Sequence, residues 1–253
     1  MPGGRIFVTG PPGEPMLEWM LARLREDGYE PHLLDMEGGS PPAPPAPISL
    51  TPVVAGLDLW RVSGEGRFEA VAALDERLPP GRPLLALCTA ISADEVASYA
   101  VRGERVVGFS IFGPPRAGML AELLPGLGTE SGVVARAAQL LTGLGFAVET
   151  LPPGSWAVYP RVVAMIVNEA AVAVAEGVAA PDDIDAALAL GAGYAQGPLA
   201  LADEIGLGEV LAVLEALHAE YGDDRYRPAP LLRRLVLAGY TGKGAGRGFH
   251  LHP

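Results

Sequence analysis

Helices alternating with strands from Arg5 to Thr150, then helical periodicity alone to the end, predict an α/β domain with a mostly parallel sheet followed by an all-α domain. The opening is the clearest unit. Arg5 to Thr9 is a short apolar strand that stops at a Gly/Pro turn, and Met16, Leu17, Met20, Leu21 and Leu24 recur at helical spacing before Gly28. Pro31 to Leu34 then reads as a second strand that delivers Asp35. Strand, turn, helix, strand and acid in that order make a βαβ nucleotide-binding unit.

The segment Gly38 to Pro47 holds five prolines in ten residues, so it is a surface connection of extended character. Alternation then resumes with strands near Leu57 to Val62, Pro83 to Leu87 and Arg105 to Ile111, separated by helices over Phe68 to Arg77 and Ala93 to Tyr99. Val133 to Leu144 is a further amphipathic helix and Ala147 to Thr150 a last strand. Pro152-Pro153-Gly154 marks the boundary, giving domains 1–153 and 154–253. Beyond it, helices are expected at Tyr159 to Glu176, Pro181 to Leu190, Leu199 to Ile205, Leu207 to Tyr221 and Pro230 to Ala238. Pro181 suits a first helical position, with Asp182 and Asp183 on the positive end of the dipole.

Composition narrows the function classes. A net charge of -12 argues against nucleic acid or an anionic membrane as partner, since both require clustered Lys and Arg. The single cysteine, Cys88, excludes an internal disulfide and a multi-cysteine zinc site, and suits a cytoplasmic location. The N-terminus carries no signal-peptide pattern. No window offers roughly 20 apolar residues; Val162 to Ala175, interrupted by Asn168 and Glu169, reads as a buried helix.

The last third carries six short motifs in order: Asn168-Glu169-Ala170, Glu176-Gly177-Val178, Asp182-Asp183-Ile184-Asp185, Gly197-Pro198-Leu199, Asp203-Glu204-Ile205-Gly206-Leu207 and Gly246-Arg247-Gly248-Phe249. This run resembles the C-terminal helical domain of the 3-hydroxyacyl-CoA dehydrogenase family. The resemblance implies a Rossmann-like first domain that binds NAD, an acyl-CoA-type substrate, hydride transfer between substrate C3 and the nicotinamide, and a homodimer formed through the helical domain. It also implies a histidine base, a glutamate that orients it, and a serine and an asparagine on the substrate.

Several of those positions are changed. The family's glycine-rich turn reads Gly10-Pro11-Pro12-Gly13-Glu14-Pro15, with Pro12 and Pro15 in two glycine slots. Gly10, Gly13 and Asp35 are the cofactor-side candidates, Asp35 for the ribose hydroxyls. Proline removes an N–H that would face the pyrophosphate, and Glu14 adds a negative charge at the helix start. In the segment Ser110-Ile111-Phe112-Gly113-Pro114, Ser110 stands at the histidine position, and Glu122 follows twelve residues later as in the family. Thr89 matches the serine-bearing turn, and Pro160, before Arg161, replaces the asparagine. The catalytic candidates are therefore Glu122, Ser110 and Thr89. A serine hydroxyl is no base near neutral pH, and loss of a positioned base costs about 10²- to 10⁴-fold in rate.

Two readings follow: a weakened NAD-dependent dehydrogenase, or a non-catalytic relative that serves as a binding or assembly subunit. The remaining candidates are bland. His32, His218, His250 and His252 are expected at the surface or partly packed, no metal site is expected, and Asp182, Asp183 and Asp185 read as a solvated helix start. Gly242 to Gly248 is the family's glycine-rich tail rather than a phosphate loop, because no helix follows it.

Overall fold

The computed structural model describes residues 3–34, 51–61 and 63–252; Asp35 and the proline-rich Gly38 to Pro47 segment lie outside the described residues. The chain divides into two compact units, one of residues 1–111 and 115–157, the other of 112–114 and 158–253.

The first unit is built on a seven-stranded sheet of order β2-β1-β3-β4-β5-β6-β7. Its strands are β1 (Arg5–Thr9), β2 (Glu30–Leu33), β3 (Val53–Asp58), β4 (Leu84–Leu87), β5 (Val106–Ser110), β6 (Leu120–Pro125) and β7 (Ala147–Thr150). All neighbouring pairs are parallel except β5 with β6. Helices α1 (Pro15–Glu26), α2 (Glu65–Arg77), α3 (Ala93–Ala97) and α4 (Ser131–Gly143) cover it. Alternate strand residues feed opposite faces. Ile6 and Val8 join Met20 and Leu24 of α1 and Leu141 of α4, while Phe7 joins Leu74 of α2 and Val96 of α3. The order in which strands are added reverses between β1 and β3, since β2 lies on one side of β1 and β3 to β7 on the other, which is the topological switch point of a doubly wound sheet.

Two strands differ from expectation. β3 begins at Val53 rather than Leu57, because pairing to β1 from Arg5↔Val53 to Thr9↔Asp58 fixes its span, and the backbone turns where Trp60 N donates to Asp58 Oδ1 at 3.3 Å. β6 was not expected at all. Glu122 interrupts its apolar run and Pro125 closes it, so its local pattern is poor; the antiparallel pairing to β5 makes it a strand. Gly108 in β5 is required by packing. A Cβ there would lie 2.9 Å from Ala93 Cβ, 3.0 Å from Leu124 O and 3.1 Å from Cys88 Sγ.

The second unit contains α5 (Val158–Ala175), α6 (Pro181–Ala192), α7 (Pro198–Ile205), α8 (Leu207–Tyr221) and α9 (Pro230–Leu237). The helices α6, α7 and α9 each open on proline, where the missing N–H costs nothing. α5 packs against α6, α7, α8 and α9. By length and composition its 18 residues, of mean hydropathy 1.5, suffice to cross a membrane, yet Val163, Ala164, Val167 and Ala171 are buried within the unit. Asn168 sits on that buried face with its amide satisfied. Its Nδ2 donates to Arg227 O at 3.0 Å and its Oδ1 accepts from Ala229 N at 2.7 Å, tying the segment before α9 to α5. Substituting Asn168→Ala would leave both backbone groups without these partners and should lower stability by about 1–3 kcal/mol. Urea unfolding of the two proteins measures the difference.

Candidate functional site

The carboxyl ends of β1, β3 and β4 converge on one buried ion pair. Asp58 closes β3, and Arg67 reaches it from α2, with Nε and Nη2 each 2.8 Å from Asp58 Oδ2. Both side chains are fully buried. Thr9 Oγ1 at the end of β1 donates to Asp58 Oδ1 at 3.2 Å, and Arg67 Nη2 donates to Leu87 O at the end of β4 at 2.7 Å. Burial pushes the Asp58 carboxyl above its usual value, opposed by the charge and hydrogen bonds of Arg67 and then by the Trp60 and Thr9 donors. Neither residue stood out in the sequence. An acid closing the strand Val53–Asp58 was the available signal, and the displaced strand expectation hid it.

The turn after β1 lies beside this pair. A Cβ on Gly10 would lie 3.2 Å from Leu59 Cβ and 3.5 Å from Leu17 Cδ1, so Gly10 serves close packing of the turn. Gly13 has φ +77, a left-handed value that glycine adopts without strain. A pyrophosphate needs free N–H groups at the helix start. Here Pro15 has none, Glu14 N is engaged with Pro11 O at 3.3 Å, and the Glu14 carboxylate stands at that end 3.8 Å from Arg61 Nε. The described turn thus offers a pyrophosphate fewer backbone donors than a glycine-rich turn would.

Thr89 just after β4, Ser110 at the end of β5 and Glu122 within β6 are brought together. Ser110 Oγ donates to Thr89 Oγ1 at 3.2 Å, and Ser110 lies opposite Glu122 in the antiparallel ladder. All three are buried. The cluster offers two hydroxyls and a carboxylate, with no imidazole among them. Cys88, next to Thr89, is a buried thiol pushed up to about 12, first by desolvation, with Arg67 opposing. It is no nucleophile at neutral pH.

In the helical unit the motif acids are structural clamps. Asp185 is not part of a solvated helix start. It accepts from Leu199 N at 2.8 Å and Ala200 N at 2.9 Å, capping α7, and a Cβ on Gly197 would overlap it. Asp203, buried in α7, accepts from Phe249 N and His250 N, both at 2.9 Å, and Gly248 leaves room for its carboxylate. His250 and His252 have firm partners: His250 Nε2 is 2.9 Å from Asp185 Oδ2, its Nδ1 3.1 Å from Asp182 Oδ1, and His252 Nε2 is 2.9 Å from Asp203 Oδ2. Sequence reading missed these pairs because they join residues 49 to 68 positions apart. His32 packs edge-on to Phe7, and His218 lies in the last turn of α8. Among the described residues no group of three or more ligand-type side chains could hold a metal. Pro160 is buried in the first turn of α5, and Arg161 stacks over Tyr221 at 4.7 Å and Tyr226 at 5.4 Å.

A doubly wound sheet with its switch point between β1 and β3, followed by a five-helix unit among the described residues, defines a Rossmann-like α/β domain with an all-α C-terminal domain. Residues 158–252 match the family model described as 3-hydroxyacyl-CoA dehydrogenase, C-terminal domain. The chain belongs to the 3-hydroxyacyl-CoA dehydrogenase family. A probable 3-hydroxybutyryl-CoA dehydrogenase of Bacillus subtilis (strain 168) is 37% identical over 184 residues, which are 73% of this chain and 64% of that protein. The match thus spans a little under two thirds of that relative. Mycobacterium tuberculosis FadB2 shares the fold with a TM-score of 0.78 and 22% identity, covering 100% of both chains. The (S)-3-hydroxybutyryl-CoA dehydrogenase PaaH1 from Ralstonia eutropha does so with a TM-score of 0.74 and 24% identity, covering 99% of both.

Replacing Arg67 with Met should destabilise the fold by about 3–5 kcal/mol, because Asp58 is left as a lone buried charge, whereas Arg67→Met with Asp58→Leu should recover most of the loss. Denaturant midpoints of the single and double variants measure it. Native protein at pH 8 should resist iodoacetamide at Cys88 and react after unfolding, read by intact mass.

Proposed function

We propose that this chain acts as a slow member of its family, interconverting a 3-hydroxyacyl-CoA and its 3-oxoacyl-CoA with NAD at a small fraction of the rate an imidazole base supports. The observation that carries this is the buried Thr89, Ser110 and Glu122 cluster. Its two hydroxyls are suited to donate hydrogen bonds to a substrate oxygen, and Glu122, across from Ser110, is suited to orient that arrangement. None of the three takes the proton of a 3-hydroxyl group as readily as imidazole does, so the deficit should be about 10²- to 10⁴-fold. NAD, when bound, supplies the hydride acceptor. In this reading residues 1–153 form the nucleotide-side domain, with Gly10, Gly13 and Asp35 toward the dinucleotide, and residues 154–253 the helical domain through which a cytoplasmic homodimer forms.

A second reading is favoured by the turn at Gly10 to Pro15. There, Pro15 and the Glu14 to Arg61 pair take the place of pyrophosphate donors, as in a non-catalytic relative that serves as a binding or assembly subunit. One pair of titrations separates the two. Protein fluorescence is followed as NADH and acetoacetyl-CoA are added singly, then NADH absorbance with both present. Saturable NADH binding with slow turnover is expected; no NADH binding at millimolar concentration would leave only the second reading. A Ser110→His variant restores an imidazole beside Glu122 and should raise turnover about 10-fold or more. No gain in a variant that still binds NADH would sink the assignment of Ser110 to the base position.

A further inference from the structure

At the opposite edge of the sheet, where the parallel strands begin, a cavity of about 360 Å³ opens between α4 and the starts of β3 and β4. Its lining combines an apolar wall of Tyr29, Val54, Pro83 and Leu140 with Arg82, Arg136 and Gln139. Arg136, Gln139 and Leu140 lie on one face of α4 by their three- and four-residue spacing. None of the lining residues is acidic, although the chain carries 30 acids against 18 bases. Four other arginines of this unit are committed to acids: Arg5 to Glu30, Arg23 to Asp27, Arg67 to Asp58 and Arg105 to Asp75. Arg82 and Arg136 have no such partner among the described residues. Arg136 Nη2 lies 3.6 Å from where a Cβ of Gly81 would stand and 3.5 Å from that of Gly132, so the guanidinium rests beside both glycines at ordinary contact distance.

We propose that this cavity is a second ligand site, separate from the strand-end cluster, for an organic phosphate of mononucleotide size. Its volume falls at the lower end of small-ligand pockets, roughly 300–1,000 Å³. Two guanidinium forks and an amide offer more donors than a carboxylate's two oxygens take up, and match the oxygens of a phosphate. Tyr29 and the aliphatic wall suit a flat apolar body attached to it. The inference is independent of catalysis at Ser110.

Calorimetric titration of the full chain with AMP, adenosine and inorganic phosphate tests it. AMP should bind saturably, adenosine and phosphate each at least about tenfold more weakly, and Arg82→Gln with Arg136→Gln should cost about tenfold or more per arginine while NADH binding stays as in the parent. Unchanged AMP affinity in the double variant would place any binding elsewhere and overturn the proposal. So would adenosine binding as tightly as AMP, or no AMP saturation at millimolar concentration.

Discussion

The ion pair between Asp58 and Arg67 is the constraint on which the first unit turns. Two charges removed from water repay their desolvation only with good geometry and further hydrogen bonds, and this pair has both. It also ties three strand ends to one helix: β1 through Thr9, β3 through Asp58, β4 through the Leu87 carbonyl and α2 through Arg67 itself. A pair of this kind contributes little net stability compared with an apolar replacement. Its consequence is positional, since it fixes how the strand ends meet at the switch point where ligands of doubly wound sheets sit.

The second unit solves a related problem with carboxylates in place of an ion pair. Backbone N–H groups that regular helices leave open are gathered by side chains from distant elements: Asp185 takes those at the start of α7, and Asp203 takes those of the tail. Asn168 takes the Ala229 N–H with its Oδ1 and donates its Nδ2 to the Arg227 carbonyl. The family motifs in this region are thus chiefly a set of long-range hydrogen bonds, with glycines at 197 and 248 where a side chain would collide with the accepting acid. Shared ancestry is written most densely where the chain needs these clamps.

Much of the architecture was legible because helix ends and strand alternation are local. Proline at the starts of α6, α7 and α9 and glycine after α1 mark boundaries within a few residues, and the change from alternating strands and helices to helices alone separates two kinds of packing. What was not legible is non-local. β6 has an unremarkable segment pattern and becomes a strand by pairing, Arg67 looks like any charged residue on a helix until Asp58 faces it, and His250 gains partners only through the folded tail. The contact between Thr89 and Ser110 likewise depends on β4 and β5 being neighbours, which no twenty-residue window contains.

The reversal of direction at β6 carries a further implication. Ser110 and Glu122 face each other because two antiparallel strands are in register, and the intervening count of residues is incidental to that. Arg116, Ala117 and Gly118 are exposed between the strands, so evolution is free to lengthen or shorten the chain there without parting the serine from the glutamate. The pairing of these two positions is defined by the ladder and not by a fixed interval, so a longer bend would leave them side by side.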